Sequence, residues 1–233
     1  MYLENDIKVF CLEHLSYVII STIILVIVGI ILKLKIKDEK SINIVFHIFG
    51  LVGFIVIIIC RIATCFQHNN VLYMIPDSFC ALASLITSIG LLFLKKDNIL
   101  LHGTWLIVIA GGILATLMPD YLNDGPTIFY LPTFLTLIHH SLSLFFIIMA
   151  FIYKYIRLTI KKIWIQPVMI SLCIALGYLV IALYNSPYAF YINKPAIDGT
   201  ILYAPLLYTI YFIVYLIIIL IVELYRKHKL KTE

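Results

Sequence analysis

The chain has 233 residues, 63% of them hydrophobic and only 12% charged, with a mean hydropathy of +1.08 and a formal net charge of +5. A soluble domain of this length has too little interior to hide so much apolar surface, so a soluble globular protein is excluded. Long unbroken apolar runs fit helices and not the alternating strands of a barrel, so the fold class is all-α: a polytopic membrane helical bundle forming a single integral membrane domain over residues 1–233.

Residues 1–13 carry Glu4, Asp6 and Glu13 against Lys8, with neither the basic start nor the small-residue cleavage site of a secretory signal. The first span is predicted near Leu12–Leu32 and is followed by Lys33, Lys35, Lys37 and Lys40. The second, near Asn43–Phe66, contains Arg61. A short uncharged connection, Gln67–Asn70, leads to the third, near Val71–Leu94, which Lys95 and Lys96 close. The fourth runs about Ile99–Met118 and ends in a loop with Asp120, Asp124, Gly125 and Pro126. The fifth runs about Tyr130–Tyr153, with Lys154, Arg157, Lys161 and Lys162 beyond it. The sixth covers Trp164–Tyr184, the polar loop Asn185–Gly199 follows, and the seventh covers Ile201–Leu224 before a basic tail.

The loops after spans one, three and five carry four, two and four Lys/Arg, and the tail four more; the opposite side has only Lys8 and Lys194. Fourteen against two predicts an outside N-terminus and a cytoplasmic C-terminus in a multi-pass cell-membrane protein. The same placement explains the net charge without a nucleic-acid partner. Five cysteines, an odd number mostly inside apolar runs, exclude a disulfide framework.

The chemistry gathers around Tyr73–Ser84. Pro76 fits the first turn of a helix, and Asp77, Cys80 and Ser84 then recur at helical spacing along one face. A carboxylate and a thiol on one intramembrane stripe are expensive and need polar neighbours. In the predicted topology Arg61, His14, His139, His140, Asp120, Tyr184 and Tyr188 all lie in the outer half of the bilayer with them, which points to a shared polar cavity.

Each of these residues also has a plainer reading. Cys80 is either a small buried hydrophobe or a nucleophile activated by a cation and a base. His139 and His140 point about 100° apart on a helix, so one of them is expected to face a given cavity; no ligand stands three or four residues away, so metal spacing is absent. Arg61 is a counter-ion for Asp77 or Asp120, a phosphate ligand, or both. Asp120 also serves simply to end its span beside Pro119. The Gly50/Gly53 and Gly111/Gly112 pairs read as close-packing positions. Tyr203, Tyr208, Tyr211 and Tyr215 read as an interface belt and packing face. No P-loop, Rossmann turn, nucleophile elbow or zinc-protease motif occurs.

The Pro-x-x-x-Cys opening span three, Met118-Pro119-Asp120 ending span four, the histidine in the middle of span five and the Tyr-bearing loop after span six resemble the YwaF-type bacterial integral membrane proteins, relatives of the eukaryotic transmembrane protein 164 acyltransferases. The similarity runs from Glu13-His14 to about Pro195. It implies a polytopic acyltransferase with a cysteine nucleophile and a histidine, moving a fatty acyl chain between phospholipids. Carried over by position, Cys80 is the nucleophile and His140 the histidine, with His139 beside it; His14 and Asp120 match further polar positions. The pattern usually reads Pro-Leu-His-Leu-Cys, whereas this chain reads Pro76-Asp77-Ser78-Phe79-Cys80.

The reading is therefore a membrane-embedded acyltransferase working in the outer-leaflet half, with Cys80 and His140 catalytic and Arg61, His14, Asp77, Asp120, His139 and Tyr188 around the substrate. Membrane phospholipid is donor and acceptor, so no cofactor is called for; a homo- or hetero-oligomer is left open. The alternative is a non-enzymatic membrane protein, either a small-solute permease or a partner subunit of a membrane complex, with Arg61, Asp77 and Asp120 as its coupling site.

Overall fold

The computed structural model describes residues 9–119, 122, 126–186, 189–195 and 199–232, the side chains of 229–232 excepted. Its ordered elements are helices: α1 (Leu12–Lys35), α2 (Glu39–His68), α3 (Phe79–Phe93), α4 (Ile99–Leu117), α5 (Leu131–Ile152), α6 (Ile165–Tyr184) and α7 (Ala204–Thr232), with short 3₁₀ turns between some of them. Six are long and apolar enough to cross a membrane; α3, with 15 residues, is not. The all-α multi-pass architecture expected from composition is thus what the chain forms.

The shortness of α3 corrects the sequence reading. The third apolar run does not become one helix from Val71. It forms a 3₁₀ turn at Val71–Met74, an extended stretch through Ile75–Ser78, and only then a helix. The cause is local. Pro76 has no N–H and disfavours the helical region for Ile75, which sits at φ −77°, ψ 123°. Ser78 then supplies a better start, its hydroxyl accepting the Ala81 N–H at 3.3 Å. Asp77 therefore lies before the helix and not on a stripe with Cys80 and Ser84.

Helices α2, α3, α4 and α5 form a ring in which each packs on the next and α5 closes on α2; α6 lies against α4, α7 against α6, and α1 against α5. Small residues set the closest approaches. A Cβ on Gly50 would fall 2.4 Å from the Leu92 backbone nitrogen, and one on Gly53 2.5 Å from Ser88 Oγ, so α2 and α3 pack almost backbone to backbone. Phe49 stacks on Phe146 at 4.6 Å across the α2–α5 seam. On α7, Tyr208 and Tyr215 are buried and Tyr211 hydrogen-bonds Gln166 of α6, the packing face expected of that ladder.

The end of the bundle that carries the basic loops is tied by a cluster around Asp97, which holds φ at 60°. Its carboxylate accepts from Lys162 Nζ at 2.6 Å, from the Arg157 N–H at 2.9 Å, and pairs with His102 Nε2 at 2.7 Å. Partial burial works to raise the Asp97 pKa, but Lys162, Arg157 and His102 together outweigh it and hold the carboxyl below its ordinary value. A depressed folded-state pKa stabilises above the unfolded value and is lost as pH falls through the folded one. The cluster should therefore weaken only in acid, below about pH 4. Asp97→Asn should cost about 1–2 kcal/mol at neutral pH and remove that acid-dependent step from a thermal-melting series in detergent; an unchanged series would show that the cluster contributes nothing.

Candidate functional site

The site lies at the end of the bundle opposite the basic loops, where α3 begins. Arg61 stands seven residues before the end of α2, so its level is about 10 Å inside that end. Non-helical backbone at such depth survives only if the protein satisfies its polar groups. Here Arg61 does much of that. Its Nη2 donates to the Ile75 carbonyl at 3.0 Å and its Nη1 to Asp77 Oδ1 at 3.4 Å. Tyr184 of α6 donates to the same Ile75 carbonyl at 3.2 Å. Ser186, just past α6, donates to Asp77 Oδ2 at 3.2 Å, and the Phe190 N–H donates to the Asp77 carbonyl at 3.0 Å. With side-chain exposures of 9% for Arg61 and 23% for Asp77, the pair is the hub that pins α2, the stretch before α3 and the segment after α6 together. The counter-ion reading of Arg61 thus holds, with Asp77 as the partner. The roles of Tyr184 and Ser186 were hidden in sequence because they are 109 positions from their partners.

Cys80 sits in the first turn of α3, half-buried. It faces α4: a Cβ on Gly111 would lie 2.4 Å from its sulfur. The next residue, Gly112, faces α5, where an added Cβ would lie 2.9 Å from Leu144 Cβ and 3.4 Å from the His140 carbonyl oxygen. One glycine turn of α4 therefore receives the thiol from one side and the His140 turn from the other, which puts Cys80 and His140 at the same level of the bundle.

Both α5 histidines are buried, at 5% and 6% exposure, and their ring centroids are 4.0 Å apart. Both are interior because α5 is covered on two sides, and the two side chains leave the helix on different faces. By spacing, His140 shares a face with Leu144, which meets α4. His139 shares one with Thr136 and Phe146, which meet α2 at Cys60 and Phe49. Neither ring nitrogen of His139 has a hydrogen-bond partner; the Leu135 carbonyl one turn back is near but outside bonding geometry. The ring is within electrostatic reach of Arg61, whose Nε is also buried without a partner. Thr133 Oγ1 on α5 and Thr116 Oγ1 on α4 are unpartnered as well. Five of the seven buried side-chain atoms without a partner, among the described residues, thus fall in this half of the bundle.

His14 has a structural place. The Phe10 N–H donates to its Nδ1 at 3.1 Å, so the ring proton is on Nε2, which donates to the Thr116 carbonyl at 2.9 Å. It is fully buried and ties α1 to the end of α4. Asp120 and Tyr188 lie outside the described residues. Cys60, which sequence reasoning gave no role, stands beside Arg61 with its sulfur 3.5 Å from Thr136 Oγ1; its neighbour Arg61 was the available signal. Among the described residues no three His, Cys, Asp or Glu side chains come together as a metal-ligand set.

No curated protein and no solved structure matches the chain. A family model does, over residues 9–225, which covers α1 to α6 and α7 up to Tyr225. The kinship read from the Pro-x-x-x-Cys, the Met-Pro-Asp and the span-five histidine is borne out: this multi-pass membrane protein belongs to the TMEM164 family.

Proposed function

We propose that the protein transfers a fatty acyl group between membrane phospholipids through a thioester on Cys80. The observation that carries the reading is the Gly111–Gly112 turn, which admits the Cys80 sulfur on one side and the His140 turn on the other, beside a cluster of buried polar atoms without partners.

The chemistry balances with these groups alone. His140 takes the Cys80 proton, and the thiolate attacks the carbonyl carbon of a phospholipid ester. The C–S bond forms, the ester C–O bond breaks, and the departing lysophospholipid oxygen receives the proton from His140. A second lysophospholipid hydroxyl then gives its proton to His140 and attacks the thioester carbonyl, and the released thiolate is reprotonated. Arg61 keeps its two Nη groups on the pre-α3 backbone and Asp77, which leaves the unpartnered Nε–H to stabilise oxyanion charge or a lipid phosphate. His139, also unpartnered, fits a substrate-positioning role. The distribution of Lys and Arg favours an orientation in which this end faces the outer leaflet.

Incubating purified protein with phospholipids carrying a labelled acyl chain should place label on Cys80 and none on Cys80→Ser. His140→Ala should slow labelling by about 100-fold or more, the usual worth of a general base. No label on the wild type across a broad set of phospholipids would overturn the reading. Solute flux in proteoliposomes that survives Cys80→Ala would favour the permease alternative.

A further inference from the structure

We propose that the groove between α1 and α5 is a phospholipid site, separate from the thiol: one acyl tail lies in the groove and the lipid phosphate sits at Lys33. Among the described residues, helix α1 is held by polar contacts only near its start. Its polar tethers fall in its first two turns, where Glu13 accepts from Thr127 and Ile128, His14 donates to Thr116, and Tyr17 pairs with Ser141 at 3.0 Å. Beyond Tyr17, α1 makes no hydrogen bond to another helix among the described residues, and its apolar window contributes no buried residue. Gly29 brings it to van der Waals range of Phe145 and Met149.

Between these contacts lies a cavity of about 380 Å³, within the range of ligand sites, with Val26 and Ile30 on one wall and Ile148 and Ile152 on the other. It runs from Ser141 to Ile152, a rise of about 16 Å along α5. That is close to half of the ~30 Å hydrocarbon core, the depth of one leaflet's tail. A helix of a second copy would need a longer and wider face.

Charge fixes which way the lipid lies. Lys33 is the one charged residue of the lining, and it stands at the end where the basic loops gather. Its ammonium lies 4.9 Å from the Tyr153 ring centroid, and among the described residues it forms no ion pair. A cation at the mouth of an apolar slot, at the level of the nearer leaflet's headgroups, matches a lipid phosphate. The tail then reaches toward the Tyr17–Ser141 pair at the far end. The site does not depend on the acyl-transfer reading, because its lipid enters from the leaflet opposite the thiol.

Native mass spectrometry of detergent-purified protein, after incubation with phosphatidylglycerol or phosphatidylcholine vesicles, tests this. The wild type and Cys80→Ser should each retain about one phospholipid per chain. Ile148→Trp, which fills the groove, should lower retention about tenfold, whereas Ile217→Trp on the exposed face of α7 should not. Lys33→Gln should weaken retention about fivefold, the worth of one surface cation; an equal loss for both lipids points to the phosphate, a larger loss for phosphatidylglycerol to its net charge. A phospholipid with a photoreactive tail end should label the Tyr17 and Ser141 region. Retention unchanged by Ile148→Trp, or a wild type that keeps no lipid, would overturn the proposal. So would chain-to-chain cross-links through α1 in place of lipid.

Discussion

Arg61→Met is expected to lower stability by about 3–5 kcal/mol, the range found when one partner of a buried ion pair is removed. The loss is not the 3.4 Å contact with Asp77 alone. It includes the Ile75 carbonyl, left with only Tyr184, and a carboxylate left with Ser186 as its side-chain donor. Arg61→Lys should recover only part of it, since an ammonium cannot serve Ile75 and Asp77 from two fixed prongs. Asp77→Asn should cost less, because an amide still meets Arg61 and Ser186. Adding Asp77→Leu to Arg61→Met should cost less than the sum of the two, because no buried charge is then stranded. Thermal unfolding in detergent followed by size-exclusion chromatography, with Asp77→Leu alone included, gives the five values. An Arg61→Met protein as stable as the wild type would mean that the stretch before α3 holds itself, and Arg61 would then be free to act wholly on substrate.

Gly50→Ala should be comparably damaging, for a steric reason. The new methyl would lie 2.4 Å from the Leu92 nitrogen and 2.8 Å from both Leu92 Cα and the Ser88 carbonyl oxygen, all backbone atoms that no rotamer can withdraw. The α2–α3 seam must open along its length, at a cost of about 3 kcal/mol and a midpoint about 5–10 °C lower. Gly53→Ala meets the Ser88 hydroxyl, which can rotate away at the loss of its bond to the Ser84 carbonyl, so a smaller effect is expected. Gly29→Ala meets only the tips of Phe145 and Met149 at 3.3–3.4 Å and should be nearly neutral. If the three substitutions rank in any other order, close approach at Gly50 is not what holds α3.

The Arg61–Asp77 hub and the Cys80 turn share one origin. Pro76 and Ser78 stop α3 from extending to Val71, and the shortened helix leaves unwound backbone inside the bundle. That backbone requires Arg61. It also places Cys80 in the first turn of a helix, where it meets a glycine on α4 in place of a side chain. The chemistry proposed for Cys80 therefore rests on a stability device, and Arg61 variants should be assayed at temperatures where they remain folded.

What the chain dictates by itself is whatever is local or set by the membrane. Apolar run length gave the long spans. Paired glycines marked the close approaches, and the short motifs carried the family. The third apolar run looks continuous in hydropathy, which hides the break that Pro76 and Ser78 impose locally; Arg61 and Tyr184 then supply the donors that the unwound Ile75 carbonyl needs. Tertiary structure alone decided that Ser186 and Phe190 reach Asp77, that both α5 histidines are interior, and that His14 is an anchor. These depend on which faces of α5 and α1 are covered, and coverage follows from packing between helices far apart in sequence, which no local pattern encodes.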